Sequence, residues 1–128
     1  MTRQTLTVQV HKAIWLTANQ RLHWSKRMRR TRILRAYAAS EARIHGLAGQ
    51  HLGPCVVTAV IGYPTSTRAD PANAAPAVKA IIDGLVDARV WDDDDHTHIP
   101  SVAFERDPQK APKGTHTVTL IIQEQETR

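Results

Sequence analysis

Cys55-Val-Val-Thr-Ala-Val-Ile61 is the stretch on which the fold turns. It carries no charge and is rich in β-branched side chains, so it reads as a strand. Its unbroken apolar character predicts burial on both faces, in the middle of a sheet. Cys55 is the only cysteine of the chain. An internal disulfide and a cysteine zinc site are thereby excluded, and Cys55 is expected to act as a small buried apolar residue.

Downstream, Tyr63-Pro-Thr-Ser-Thr-Arg-Ala-Asp70 leaves this strand, with Pro64 marking an edge or kink. Asp70 therefore falls just beyond a central strand, where site residues are common. Pro71 and Pro76 bracket the turn into a helix. Proline is tolerated in a first helical turn because its missing N–H has no intrahelical partner. Val78, Ile81, Ile82, Leu85 and Val86 form the apolar stripe of that helix, and Lys79, Asp83 and Asp87 form a row spaced by four. An exposed Lys–Asp pair at this spacing contributes only roughly 0.2–0.5 kcal/mol, so stability is a weak reason for the row. Asp92 to Asp95 follow Val90-Trp91, with His96 and His98 beyond. Four adjacent carboxylates repel one another without a counter-charge. Together with Asp70 and Asp83 they suggest a site for a hard cation such as Mg²⁺, which takes oxygen ligands and keeps several waters.

Upstream, Lys26 to about His45 holds good helix formers with neither glycine nor proline, Ser25 is a candidate N-cap, and Ile33, Tyr37, Ser40 and Ile44 recur on one side. The same helix carries Lys26, Arg27, Arg29, Arg30, Arg32, Arg35 and Arg43. So many cations on a few turns repel unless an anion is nearby, and the planar fork of arginine suits phosphate oxygens. Gly46, Gly49 and Gly53 end the helix. Thr5-Leu-Thr-Val-Gln-Val10 alternates, with Leu6, Val8 and Val10 on one face, and predicts a first strand. Residues 99–106 and 115–122 predict two more strands, joined by the turn-rich 107–114, and 123–128 is expected to fray. The order strand, helix, strand, helix, strand, strand predicts an α+β domain with a mixed four-stranded sheet and two helices.

At 128 residues, 41% of them hydrophobic and 23% charged, the chain is expected to be one ordered domain, 1–128. The net charge of +5 hides an asymmetry, since residues 1–60 hold ten Lys/Arg and one acid, whereas 61–128 hold seven against eleven. A basic half beside an acidic half suits a protein that holds a polyanion on one surface and cations on another. The first residues lack the apolar core of a signal peptide and no stretch is apolar enough to span a bilayer, so a cytoplasmic protein with no membrane contact is expected. No glycine-rich phosphate loop, His-Glu-x-x-His helix or EF-hand loop is present, and nothing local supports a serine or cysteine triad.

Arg68-Ala-Asp70-Pro-Ala72-Asn73, Lys79-Ala-Ile-Ile-Asp83-Gly-Leu85 and Val90-Trp91-Asp-Asp93-Asp94, taken together, resemble the RusA family of Holliday junction resolvases, particularly phage and prophage forms. The family pattern is Arg-x-Asp-x-Asp-Asn, then Lys-x-x-x-Asp-x-Leu on a helix, then Val-Trp-x-Asp-Asp. Asn19-Gln-Arg-Leu-His-Trp24 is similar to its substrate-facing N-terminal segment. The resemblance implies a RusA-like fold and a homodimer that nicks four-way DNA junctions in recombination and repair. It also implies Mg²⁺, replaceable by Mn²⁺, and a nucleoid location in a bacterial or phage-infected cell. Asp70, Asp83, Asp94 and Lys79 become the catalytic residues and Asp70, Asp94 and Asp93 the metal ligands. Arg21, Lys26, Arg27, Arg29, Arg30, Arg32 and Arg68 become the DNA contacts. The chain departs from the pattern at Ala72, where the family has a metal-binding aspartate, and in a longer gap before Lys79. Asn73, Asp95, His96 or water are the expected substitutes for the lost carboxylate. A junction-binding protein that cuts weakly or not at all is the alternative expectation.

Overall fold

A computed structural model of the chain describes residues 3–126. The strands are β1 (Arg3–His11), β2 (Cys55–Gly62), β3 (Ser101–Arg106) and β4 (Thr115–Glu124), and the helices are α1 (Trp24–Ile44) and α2 (Ala75–Asp87). Short 3₁₀ turns follow β1 at Lys12–Ile14 and precede α2 at Pro71–Ala74. The sheet order is β1-β4-β2-β3. β4 runs antiparallel to both β1 and β2, while β2 and β3 are parallel, with α2 in the crossover between them. The architecture is therefore α+β with a mixed four-stranded sheet and two helices, in the predicted order.

Side chains alternate across a strand, and the burial follows that period of two. Leu6, Val8 and Val10 of β1, Cys55, Val57, Ala59 and Ile61 of β2, and Val118, Leu120 and Ile122 of β4 are buried on one face. β2 is not buried on both faces as its composition predicts. Val56, Thr58 and Val60 are only half-buried, because the core lies on the opposite face, under the two mutually packed helices.

α1 turns a different face inward from the one its large apolar residues suggest. Ile33, Tyr37 and Ile44 are exposed, and the buried positions are Leu34, Ala38, Ala39 and Ala42. The reason is the closeness of the helix pair. A Cβ placed on Gly84 of α2 would lie 2.2 Å from the Arg35 carbonyl oxygen and 3.0 Å from the Ala38 Cβ. Helices that meet at backbone distance have room only for alanine at the contact, so the bulkier side chains turn outward. The helix begins two residues earlier than expected, at Trp24. Its cap is His23, whose Nδ1 accepts the Ser25 N–H at 3.2 Å.

The C-terminal strand also runs further than its predicted end. Gln123 pairs with Arg3 and Glu124 with Cys55, and the Gln125 N–H donates to the Pro54 carbonyl at 2.8 Å. The fraying expected over 123–128 therefore fails at 123–125, where pairing on both sides holds the chain; residues 127–128 lie outside the described residues.

Candidate functional site

The polar residues singled out by sequence fall into three groups, each placed by a different element. The first is built on α2. Lys79 and Asp83 are one turn apart, and Lys79 Nζ donates to Asp83 Oδ1 at 2.8 Å. The segment after α2 folds back so that Asp94 also accepts from Lys79 Nζ. Asp93 Oδ1 accepts the Asp94 N–H at 2.7 Å, which orients the loop. An ammonium beside a carboxylate stabilises the charged form of both Lys79 and Asp94. The hydrogen bonds that Lys79 donates to Asp83 and Asp94 raise its pKa, and Lys79 holds the Asp94 carboxyl below the usual carboxylate range.

The flanking aspartates have separate partners. Asp92 meets His51 Nδ1 at 2.5 Å, and that histidine lowers its pKa. Asp95 caps the next turn, accepting from Thr97 Oγ1 at 2.6 Å and from His98 Nδ1 at 2.7 Å. These bonds bring its carboxyl down to about 2 and raise His98 in return. His96, the expected auxiliary, is exposed on the same loop.

The second group surrounds Asp70. It caps the 3₁₀ turn ahead of α2, with Oδ1 accepting the Ala72 N–H at 3.0 Å. The N-terminal loop docks on that turn through Ala18 N–H to the Asn73 carbonyl at 2.8 Å. Between them lies a cleft of about 280 Å³ lined by Asn19, Tyr63, Arg68, Asp70 and Asn73. The conjunction of Asn19 with Arg68, Asp70 and Asn73, fifty residues apart in the chain, is made by this docking alone. Ala72 is exposed on the same turn.

The third group is the basic face of α1, and the structure divides it. Arg27 donates to the Thr17 and Gln20 carbonyls at 3.0 and 3.1 Å, and Arg30 donates to the Trp15 carbonyl at 2.9 Å. These two arginines strap the 15–20 loop to the helix. Arg35 forms a two-pronged pair with Asp87 of α2, at 2.6 and 2.8 Å, which pushes the guanidinium pKa up and the carboxyl down. Arg21, Lys26, Arg29 and Arg32 are exposed. The solvent-facing cations are fewer than the sequence shows, because part of the charge is used within the fold.

Oxygen donors of this kind suit a hard divalent cation. Among the described residues, however, no three His, Cys, Asp or Glu side chains stand close enough together to hold a metal ion. Lys79 Nζ bridges Asp83 and Asp94, while the Asp70 carboxylate accepts the Ala72 N–H and lines the cleft with Arg68 and Asn73. The set fits Mg²⁺ only in its sparser mode, one or two carboxylates with water and phosphate oxygens completing the shell. Asp94 with Asp83 or Asp93 can supply such a pair.

Sequence reasoning passed over one assembly. The Trp15 and His116 rings stack at 4.2 Å and 6°, and Tyr63 meets the edge of His116 at 5.4 Å. The Arg106 guanidinium lies over Tyr63, 4.7 Å from its centroid. These residues come from four separate parts of the chain, and no local spacing signals their meeting. Compared with known protein families and with curated proteins, the chain matches none. Among the described residues no helix is long and apolar enough to cross a membrane.

Proposed function

We propose that the protein is a RusA-like, structure-selective endodeoxyribonuclease that acts as a homodimer and nicks four-way DNA junctions in a Mg²⁺-dependent reaction, Mn²⁺ being able to substitute. The observation that carries the reading is the return of Asp94 onto Lys79 beside Asp83. It gathers two of the blocks that resemble the family, from α2 and the loop after it, into one charged cluster. The third block is Arg68 to Asn73, whose Asp70 lines a cleft with Arg68 and Asn73.

In this reading the exposed Arg21, Lys26, Arg29 and Arg32 hold backbone phosphates, which positions the junction without reading its sequence. Lys79 is the cation set to meet a phosphate oxygen. Asp94, with Asp93 or Asp70 as the resemblance implies, would hold Mg²⁺, which when bound supplies Lewis-acid stabilisation and an activated water. Asp70 remains the second essential carboxylate, assigned on the resemblance of its block and not on contact with Asp94. A two-fold dimer suits a substrate whose paired strands are related by two-fold symmetry. The expected setting is the nucleoid of a bacterial or phage-infected cell.

Asp70→Asn and Asp94→Asn are each expected to abolish nicking of a labelled synthetic junction while gel retardation persists. Cutting at the wild-type rate by either variant removes that residue from the catalytic set.

A second reading is favoured by Ala72 and by the absence of a three-carboxylate group among the described residues: a junction-binding protein with no cleavage. One gel of wild-type protein with junction, in Mg²⁺ and in chelator, separates the two. DNA retarded but uncut in Mg²⁺ selects the binder.

A further inference from the structure

Two clefts share Tyr63 as a wall. One holds Asp70 and Arg68; the other, of about 340 Å³, is lined by Arg106, Lys110, Asp107 and the Thr65 and Ser66 segment. Tyr63 follows β2 and Arg106 ends β3, so both clefts lie outside the carboxyl ends of the one parallel strand pair. Crevices at that position are the usual ligand sites of parallel strands.

The second cleft is built for an anion. Arg106 is fixed before any ligand arrives: it stacks on Tyr63, and its two terminal nitrogens donate to the Thr67 and Thr65 carbonyls at 2.8 and 3.1 Å. A guanidinium already ordered loses little entropy on binding, and it keeps N–H groups that these carbonyls do not use. Lys110 adds a second, exposed cation from the next loop, and the Ser66 hydroxyl adds a neutral donor, the Thr65 hydroxyl being paired with that of Thr67 at 2.7 Å. Asp107 is the opposing charge, and its Oδ1 already accepts the Gln109 N–H at 2.9 Å. Two cations against one engaged carboxylate leave the cleft net positive, one ring away from Asp70.

We infer that the Arg106–Lys110–Ser66 cleft is a phosphodiester subsite, holding a backbone phosphate of the strand whose neighbouring phosphate enters the Asp70 cleft. The inference deepens the nuclease reading and rests on it for the identity of the strand. It adds DNA contacts at the carboxyl ends of β2 and β3, from residues outside α1.

Lys110→Glu is the decisive variant, because Lys110 is exposed and its replacement removes no contact that holds the fold. Two probes are used: the dinucleotide pTpT, followed by amide chemical shifts, and a four-way junction, followed by retardation across a salt series. In wild type, pTpT is expected to shift the Ser66 and Lys110 amides at millimolar concentration. In Lys110→Glu those shifts vanish at position 66, junction affinity falls by about tenfold, and the salt slope drops by about 1. If pTpT leaves Ser66 and Lys110 unmoved and Lys110→Glu binds the junction like wild type, the subsite is wrong, whether or not the junction is nicked. If pTpT seats in the cleft while the junction is neither bound nor cut, the cleft stands as a phosphate site and the nuclease reading falls.

Discussion

Gly84 shows how much one missing side chain decides. Intrinsic propensity favours alanine over glycine within a helix by about 1 kcal/mol, so Gly84→Ala ought to stabilise an isolated α2. In the protein its Cβ would stand 2.2 Å from the Arg35 carbonyl oxygen, which is backbone and cannot swing aside. The helices would have to separate, and overpacking of that kind costs about 1–3 kcal/mol. The urea midpoint of Gly84→Ala is therefore expected to fall. A rise would mean that α1 and α2 do not approach at backbone distance. Lys79 makes a similar point at the candidate site. Its pairing with Asp83 is visible as a spacing of four, whereas its bond to Asp94 depends on a loop turning back on its own helix.

The two helices differ in how far their sequences disclose their roles. α2 has a clear stripe, and Val78, Ile81, Ile82 and Leu85 are buried as its periodicity predicts. α1 is obscured by its arginines, which look alike in sequence and divide in the structure into straps and exposed cations. The division is testable. Replacing Arg27 and Arg30 by alanine removes charged donors from the 15–20 loop carbonyls, so stability should fall by about 1–3 kcal/mol per site, read by urea denaturation. Replacing Arg29 and Arg32 should leave that midpoint nearly unchanged and lower the salt slope of junction binding by about 2. Equal effects of the two pairs on stability would erase the distinction. The Arg35–Asp87 pair joins the helices, but both side chains are more than 40% exposed. Solvent screening limits such a pair to about 1 kcal/mol even with two-pronged geometry.

Across the whole molecule Asp83, Asp87, Asp92, Asp94 and Asp95 of the acidic second half are in ion pairs, and the pH dependence follows from the shifted groups among them. Asp87, Asp92, Asp94 and Asp95 all have folded pKa values below the ordinary 3.8, the last at about 2. Between these values the unfolded chain binds more protons, so the stability they contribute is present above 3.8 and lost as pH falls towards 2. His98 has the opposite sign: its raised pKa stabilises the fold below 6.5 and that contribution is lost as pH rises through the folded value. The urea midpoint should therefore fall in acid, by an amount limited by solvent screening, and Asp87→Asn with Asp94→Asn should flatten the fall. An unchanged acid slope in the double variant would show these pairs to be uncoupled from folding. The sequence by itself determined the succession of strands and helices along the chain, the one-sided β1, the α2 stripe and the separation of basic and acidic halves, because periods of two and 3.6 and the sign of charge are local properties. Only the tertiary structure decided which face of α1 is buried, which arginines are spent on the N-terminal loop, that Asp94 joins Lys79, and that Asp70 lines a cleft with Asn19 and Tyr63. Those outcomes depend on how closely two backbones approach and on where loops return, and neither distance is encoded in the spacing of residues along the chain.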